Sequence, residues 1–179
     1  KNMSSATEYS HGILARSKVH RTPCGAGNVI WHEWGAGEPL VLLHGGSGSW
    51  THWIRNISKL EKHFRVICAD TPGLGESDLP PGIFSPDDFP RGMKMLAELF
   101  ALGIDRIIGE GIRFHLAGFS MGAVAGGYLA ANQQNRIITY TMVGASSFGF
   151  SWGGLKDRLQ TMTTEMSTQE RQEVQRFNL

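Results

Sequence analysis

Short runs of apolar residues alternate with polar and glycine-rich segments along most of this chain. Each run has the length and composition of a strand buried inside a parallel sheet. These runs are residues 40–43, 64–69, 112–117 and 137–143. Between them, helical spacing of apolar residues predicts one helix over residues 49–60 and another from Asp88 or Phe89 to Ile104. Strands that alternate with helices predict an α/β fold with a mostly parallel sheet flanked by helices.

The region after residue 146 departs from this alternation. Aromatic residues first stand in a glycine- and serine-rich stretch, and apolar residues then recur at helical spacing. Ser167 and Glu170 have the spacing of a capping box, which predicts that a last polar helix starts there. We therefore predict two regions, an α/β core over residues 1–146 and the start of a helical segment over residues 147–179.

The N-terminal end carries a different strand signal. Residues of strand type occupy positions 11–21 and 29–34, and turn-forming residues, including Pro23 and Gly25, lie between them. This pattern predicts an antiparallel hairpin that precedes the parallel part of the sheet.

One serine stands where a predicted strand bends into a helix of small residues. The pentapeptide GFSMG at 118–122 matches the GxSxG pattern of a nucleophile elbow, in which the serine adopts a strained backbone conformation. Glycine and alanine share one face of the following helix, so its backbone can lie close to the sheet. A second match at 149–153 follows residues of loop type, so we interpret Ser151 as a coincidence. Ser120 is the candidate nucleophile.

A glycine-rich loop follows the first buried strand. Residues 44–50 read HGGSGSW, which lacks the Lys-Ser/Thr of a P-loop and the GxGxxG of a dinucleotide site. Nucleotide binding is therefore not expected. Glycines also let a backbone N–H point into a site, where it can stabilise negative charge in a transition state. The loop is a candidate oxyanion-hole segment.

An acidic loop follows the next buried strand. Residues 70–78 read DTPGLGESD, in which Pro72 and Gly73 fit the centre of a type II turn. The loop contains three carboxylates, at Asp70, Glu76 and Asp78, but no histidine. Loop carboxylates usually cap backbone groups or face solvent, so we predict no metal site here.

Composition narrows the classes of function. The chain has 179 residues, a formal net charge of +1, 41% hydrophobic and 18% charged residues, as is typical of one globular protein. The chain has no stripe of basic residues, so no nucleic-acid partner is expected. The two cysteines are too few for a disulfide framework, so we predict free thiols and a reducing compartment, the cytoplasm. No run approaches the roughly 18 apolar residues of a membrane span, so no membrane partner is expected.

Three of these segments stand in a characteristic order. The loops at 44–50 and 70–78, followed by the elbow at 118–122, resemble the α/β-hydrolase superfamily, in its cap-bearing branch of serine esterases and C–C bond hydrolases. The resemblance covers residue 29 to the end of the chain. It implies an incomplete hydrolase core followed by the start of a helical cap.

The resemblance also implies roles for single residues. Ser120 would be the nucleophile, and the N–H groups of Gly46 and Met121 would form the oxyanion hole. His44 would brace its loop. Aromatic side chains would wall the substrate pocket: Phe119, Trp50, Phe148 and Trp152. Packing against the sheet is the competing interpretation for at least one of Trp50 and Trp53. No metal and no organic cofactor is implied.

The chain departs from the family pattern in the partners of the serine. In the family, an Asp or Glu and then a His follow the nucleophile. All seven histidines of this chain precede Ser120. His115 stands on the same strand, about 16 Å from Ser120 at a strand's rise, which is too far for a base. We therefore expect the catalytic Asp and His not in this chain but beyond Leu179, and weak or no activity without them.

The predicted function is that of a serine hydrolase, which cleaves a small-molecule ester or related acyl bond through an acyl-enzyme on Ser120. C–C bond hydrolases share the serine elbow and are the nearest alternative, whereas dehalogenase and epoxide-hydrolase relatives carry Asp at this position. A non-catalytic or partner-completed binding module is the competing class. An open sheet edge at 137–143 would favour a homo-oligomer.

Overall fold

The computed structural model describes residues 3–80 and 88–145, together with 167, 169–170 and 173–174. Contacts within the chain group it into two units, Lys1–Ser146 and Ser147–Leu179. In the second unit, the N–H and hydroxyl of Ser167 both donate to Glu170 Oε2 at 2.7 Å, which confirms the predicted capping box. The helical cap itself stays a prediction, because most of that unit lies outside the described residues.

The first unit is built on a six-stranded sheet with the order β1-β2-β4-β3-β5-β6. The strands are β1 (Lys18–Cys24), β2 (Gly27–Trp34), β3 (Glu38–Leu43), β4 (Phe64–Ala69), β5 (Phe114–Phe119) and β6 (Ile137–Val143). The strands β4, β3, β5 and β6 are parallel, while β2 pairs antiparallel with β1 and with β4. This mixed, mostly parallel sheet confirms the predicted fold class.

Helices cover the sheet. They are α1 (Met3–Leu14), a 3₁₀ turn (Trp50–Trp53) that leads into α2 (Ile54–Leu60), α3 (Phe89–Ile108) and α4 (Met121–Asn132). The predicted start of α3 at Asp88 or Phe89 is confirmed, although the helix continues four residues past Ile104. Strand β5 starts two residues later than predicted, because Ile112 and Arg113 are exposed and precede the sheet.

The predicted first strand of the hairpin was wrong at both ends. Residues 11–14 belong to helix α1, because Ile13 is buried beside Trp34, whose indole N–H donates to Ile13 O at 2.9 Å. Tertiary burial there outweighs local strand propensity. At the other end, Pro23 lies inside β1 rather than in a turn, which an edge strand tolerates. The chain reverses at Gly25, whose φ of +60° suits glycine.

Apolar side chains form one cluster on each face of the sheet. Val41 and Leu43 point to the face covered by α3 and α4, while Leu40 and Leu42 point to the face covered by α1 and α2. This alternation follows from the two-residue period of a strand. Both faces of β3 and β4 are therefore buried, as their continuous apolar runs predicted.

The carboxyl ends of the parallel strands meet at one edge of the sheet. Leu43 at the end of β3 pairs with Ala69 on one side and with Gly118 on the other, and Phe119 pairs with Val143. The loops after β3 and β4 and the residue after β5 therefore emerge together. In open α/β sheets this edge is the usual place for a ligand.

Strand β6 is the last strand of the described sheet. Met142 and Val143 on it are 52% and 44% exposed. An oligomer formed through this edge stays a prediction. Within the described residues, none of the helices is both long enough and apolar enough to span a bilayer.

Candidate active site

Ser120 has the strained backbone conformation of a nucleophile elbow. It lies between β5 and α4 with φ +52° and ψ −118°. Among the described residues only Ser47 and Ser120 combine a positive φ with a side chain, and both flank this edge of the sheet. Hydrogen bonds hold the turn, since Ser120 N–H donates to Val143 O at 2.8 Å and Ser120 O accepts from Ala123 N at 2.9 Å. Strain of this kind is typical of functional sites.

Two glycines permit this sharp turn. A Cβ at Gly122 would collide with the carbonyl oxygens of Leu43 and His44. A Cβ at Gly118 would lie 2.7 Å from Ala123 N, which is closer than real side chains come. Both outer positions of the GxSxG pattern are therefore glycine because strand β3, strand β5 and helix α4 cross there at backbone contact distance.

The hydroxyl of Ser120 is not used to hold the fold. A serine before a helix usually accepts a hydrogen bond from the second or third helical N–H. Here the positive φ turns the side chain away, and it caps no helical N–H. Ser120 is half-buried, and within the described part of the chain its hydroxyl has no hydrogen-bond partner. The hydroxyl therefore takes no part in the hydrogen bonds that hold the described residues together.

The glycine-rich loop lies directly against the elbow. A Cβ at Gly45 would stand 3.2 Å from Ser120 Cβ, and a Cβ at Gly46 would stand 3.9 Å from Met121 Sδ. Gly45 thus lies against Ser120, while Gly46 lies near the side chain of Met121; Gly46 and Met121 are the two predicted oxyanion-hole residues. Neither amide donates to a backbone acceptor in the described residues, and Met121 N–H lies at the positive end of α4. Their role in an oxyanion hole stays a prediction.

His44 braces the loop, as predicted. Its ring is fully buried, its Nδ1 lies 2.7 Å from Gly45 O, and its Nε2 accepts a hydrogen bond from Thr71 N–H at 2.9 Å. Burial lowers the pKa of His44, against the opposing effects of the Gly45 hydrogen bond and the charge of Asp70. The ring is therefore neutral at pH 7 and ties the loop after β3 to the loop after β4.

The carboxylates of the acidic loop bind backbone amides. Asp70 is fully buried and accepts from Trp50 N–H at 2.7 Å and from Glu76 N–H at 2.9 Å. Asp78 accepts from Asn28 N–H at 2.7 Å. The predicted type II turn is confirmed, since Leu74 N–H donates to Thr71 O and Gly73 has φ +82°. The described residues contain no group of three or more side chains arranged to hold a metal ion.

The predicted pocket residues lie in different places. Phe119 is half-buried beside the loop, with its ring 5.5 Å from that of His52. Trp50 is only 5% exposed and packs against the rings of Trp34 and His32, at 5.4 and 5.3 Å. This burial gives Trp50 a packing role, and its contact with a substrate stays a prediction. Phe148 and Trp152 lie outside the described residues.

Sequence reasoning missed an apolar cavity next to the elbow. It has a volume of about 340 Å³, and Met121, which directly follows Ser120, forms part of its wall. The other walls come from the loop after β4 and the start of α3, including Leu74, Phe89 and Met93. None of the described residues that line it is charged. Its walls come from separate segments of the chain, so no local sequence pattern indicated it.

Two further histidines, His115 and His52, differ in their distance from the predicted site. His115 contacts Thr139 and Glu38 near the amino end of β5, so it lies away from Ser120, as predicted. His52, in the 3₁₀ turn, was overlooked. Its Nδ1 lies 3.3 Å from Gly45 N, and its ring contacts Phe119 and His44. No sequence pattern indicates these contacts, because they depend on how residues 44–52 fold back and on the approach of Phe119 from another segment.

Known proteins resemble this chain in sequence. The model of the alpha/beta hydrolase fold family matches residues 38–176. The chain is 32% identical over 155 residues to a 2-hydroxy-6-oxo-6-phenylhexa-2,4-dienoate hydrolase of Comamonas testosteroni, with 81% of this chain and 50% of that protein covered. It is 29% identical over 154 residues to a pimeloyl-(acyl-carrier protein) methyl ester esterase of Aeromonas salmonicida, covering 84% and 56%. The chain spans about half the length of these curated relatives.

Solved structures share the fold. The epoxide hydrolase CorEH superposes with a TM-score of 0.63 at 24% identity, over 75% of this chain and 46% of that one. A thermophilic esterase from Thermogutta terrifontis also gives 0.63, at 23% identity, over 79% and 51%. At these identities the likeness establishes the architecture and leaves the chemistry to the residues of the site.

Proposed function

The chain belongs to the α/β-hydrolase fold family, and on that premise we propose that it is a serine hydrolase whose Ser120 attacks the acyl carbonyl of an apolar ester. The observation that carries the proposal is the backbone conformation of Ser120 together with its unbonded hydroxyl in the described part of the chain. Its backbone is strained, its hydroxyl has no hydrogen-bond partner in the described part of the chain, and the loop that contains the predicted oxyanion-hole residue Gly46 lies against it at Gly45. A residue kept only for stability would not combine these features.

The reaction would proceed in two steps. Ser120 Oγ bonds to the carbonyl carbon, its proton passes to a base, and the ester's alcohol leaves with a proton. Water then attacks the acyl-enzyme, releases the acid and restores the hydroxyl. In both steps negative charge develops on the carbonyl oxygen, where Gly46 N–H, Met121 N–H and the positive end of α4 would stabilise it.

The base is the part that the described residues do not supply. His44 uses both ring nitrogens in hydrogen bonds, and His52 uses Nδ1. Neither forms a hydrogen bond with the Ser120 hydroxyl in the described part of the chain. Serine hydrolases that lose a triad member keep a residual acceleration of about 10³–10⁴ over water from the oxyanion hole and binding. We therefore expect Ser120 to react slowly but selectively.

The cavity beside Met121 supports an uncharged acyl or alkyl group in the substrate. Its walls, as far as the described residues form them, are almost wholly apolar and offer a buried carboxylate no charged partner. A C–C bond hydrolase is the second candidate, since the 32% identical relative from Comamonas testosteroni acts on a dienoate. An ester and a dienoate differ in charge as well as in the bond that is cleaved, so the cavity favours the ester.

A fluorophosphonate probe tests the proposal. Folded protein is incubated with the probe, and the intact mass is measured over hours. We expect one adduct, its loss in Ser120→Ala, and its retention in Ser151→Ala, the matched control with the second GxSxG pattern. An adduct that survives Ser120→Ala, or no adduct on folded protein, would overturn the proposal and favour a binding module.

A substrate panel then separates the two chemistries. Apolar aryl esters should give a measurable burst of the aryl alcohol that depends on Ser120, whereas a dienoate should not be cleaved. Cleavage of the dienoate alone would replace the ester with C–C hydrolysis. We also propose a cytoplasmic location, which the free, buried thiols of Cys24 and Cys68 support.

A further inference from the structure

Two histidines contact the two polar backbone groups of Gly45. His44 Nδ1 lies 2.7 Å from Gly45 O, and His52 Nδ1 lies 3.3 Å from Gly45 N. One ring thus approaches the carbonyl and the other approaches the amide of the same residue. This arrangement stands directly beside Ser120, because a Cβ at Gly45 would lie 3.2 Å from Ser120 Cβ.

The chemistry of Gly45 fixes the proton positions on both rings. A carbonyl oxygen only accepts, so His44 Nδ1 must carry a proton, while its Nε2 accepts from Thr71 N–H. A backbone N–H only donates, so His52 Nδ1 must be unprotonated. Both rings are therefore neutral and of opposite tautomer. A second proton on His52 would place two donors face to face and break its hydrogen bond.

Planar peptides carry this constraint to the predicted oxyanion hole. Gly45 O and Gly46 N–H belong to one trans peptide, in which the C=O and N–H point in opposite directions. When His44 holds the oxygen, the Gly46 N–H is aimed as well. His52 holds the preceding peptide through Gly45 N–H. Without both contacts, two consecutive glycines could rotate freely.

The packing around His52 is specific to this position. Its ring meets Phe119 edge-on at 5.5 Å and His44 edge-on at 5.8 Å. A Cβ at Gly48 would collide with the imidazole, so the loop leaves space for the ring. His52 is exposed as a residue, and residues of the loop and of the elbow contact its ring on the packed side.

We propose that His52 is a positioning residue of the oxyanion-hole loop: its neutral Nδ1 holds the Gly45 amide, and protonation of the ring releases the loop. The proposal rests on the proposed function, since it concerns the same site. In this role the nitrogen binds the Gly45 amide and not the substrate. The effect is transmitted through Gly45 to the direction of Gly46 N–H.

The direction of the pH effect follows from the surroundings of His52. Although His52 is exposed as a residue, desolvation of its ring on the packed side lowers the pKa of His52 below its ordinary value. The titratable side chain that faces it in the described residues is His44, and positive charge on either ring disfavours protonation of the other. The charge of Asp70 raises the pKa of His44, and Phe119, the other ring in contact with His52, is uncharged. His52 is therefore neutral at pH 7, and release is expected only on the acid side of its ordinary pKa near 6.5.

Nuclear magnetic resonance tests the contact directly. Long-range ¹H–¹⁵N spectra of the ¹⁵N-labelled protein report which nitrogen of His52 carries the proton. We expect Nδ1 unprotonated at pH 7.5, and a Gly45 amide resonance that shifts with the same midpoint as His52 on acidification. A proton on Nδ1 at pH 7.5, or a Gly45 amide that ignores the titration of His52, overturns the proposal.

Two variants separate positioning from bulk structure. Asn places an oxygen acceptor where Nδ1 stands and does not titrate, whereas Phe keeps a ring but offers no acceptor. We expect His52→Phe to lower the rate of fluorophosphonate labelling about three- to tenfold, as for one lost hydrogen bond. His52→Asn should recover most of that rate and lose the acid decline seen in the wild type. A His52→Phe protein that labels at the wild-type rate with its acid decline intact overturns the proposal.

The two proposals can fail separately. If the protein does not label, the serine-hydrolase function fails, while the tautomer of His52 and the titration of Gly45 still decide the positioning role. If labelling depends on Ser120 but the Gly45 amide resonance does not shift when His52 titrates, the serine-hydrolase proposal is supported and the positioning role fails.

Discussion

Strand β5 is anchored by charged side chains at its amino end and by closely packed backbone at its carboxyl end. At the amino end, the Arg136 guanidinium binds Asp105 and donates to Gly109 O and Ile112 O at 3.1 and 3.0 Å. It also lies 5.4 Å from the centre of the Phe114 ring. At the carboxyl end, glycines replace side chains around Ser120, and its hydroxyl has no partner in the described residues.

The difference separates stability from reactivity. Arg136 has its polar groups satisfied, so its removal should cost stability and spare the chemistry. Ser120 is strained and unengaged, so its removal should cost the chemistry and spare the stability. The following predictions test this separation, from the largest expected effect to the smallest.

Ser120→Gly should abolish fluorophosphonate labelling, a loss of at least about 10²-fold for a missing nucleophile. The same change should raise the free energy of unfolding by about 1 kcal/mol, because glycine accepts the positive φ of +52° without strain. Intact mass and urea unfolding measure the two effects. A clear loss of stability would show that the serine side chain holds the turn.

Gly122→Val should lower the free energy of unfolding by about 3 kcal/mol or more and also reduce labelling, because the side chain would push α4 away from Leu43 and His44. Gly12→Ala is the matched control. A Cβ there meets nothing within 4 Å, so this change should leave labelling unchanged and raise the free energy of unfolding by about 0.5–1 kcal/mol. Equal effects of the two changes on unfolding would contradict the close crossing at the elbow.

Arg136→Met should lower the free energy of unfolding by about 2 kcal/mol, because it leaves Asp105 and two carbonyls without their partner. Labelling of the folded variant should stay within about twofold of the wild type, since the change lies at the opposite end of β5. Arg55→Met, on the exposed side of α2, is the control and should change stability by less than about 0.5 kcal/mol. A labelling rate that falls clearly in Arg136→Met would show that the two ends of β5 are coupled.

Acid should weaken the fold. Burial lowers the pKa of His32, His44 and His52, so the unfolded chain binds protons at a higher pH than the folded one. The contribution of these histidines to the free energy of unfolding should therefore be complete above about pH 7 and fall as the pH drops from 6.5 through the folded pKa values. Urea midpoints at pH 7.5, 6.5 and 5.5 measure this. A midpoint that rises toward pH 5.5 would contradict the neutral state of these rings.

Local spacing predicted the parts of the site that a single loop encodes. The buried runs, the turn at Pro72 and Gly73, and the strained serine each follow from a few consecutive residues, and the structure places them as expected. The cavity beside Met121 arises from contacts between distant segments, and the contact of His52 with Gly45 arises from the way in which the loop folds back, so no residue pattern indicates either of them. Residues 11–14 were misassigned for the same reason, since burial of Ile13 against the core decides their helix.

The site of phosphonylation tests the central claim most directly. Trypsin releases residues 114–136 as one peptide, in which Ser120 is the single serine. After reaction of the folded protein with the fluorophosphonate, tandem mass spectrometry should find the added mass on Ser120 of this peptide, and urea-unfolded protein should carry none. Modification confined to Ser47 or Ser151, or equal modification of folded and unfolded protein, would contradict the account of Ser120 as the nucleophile.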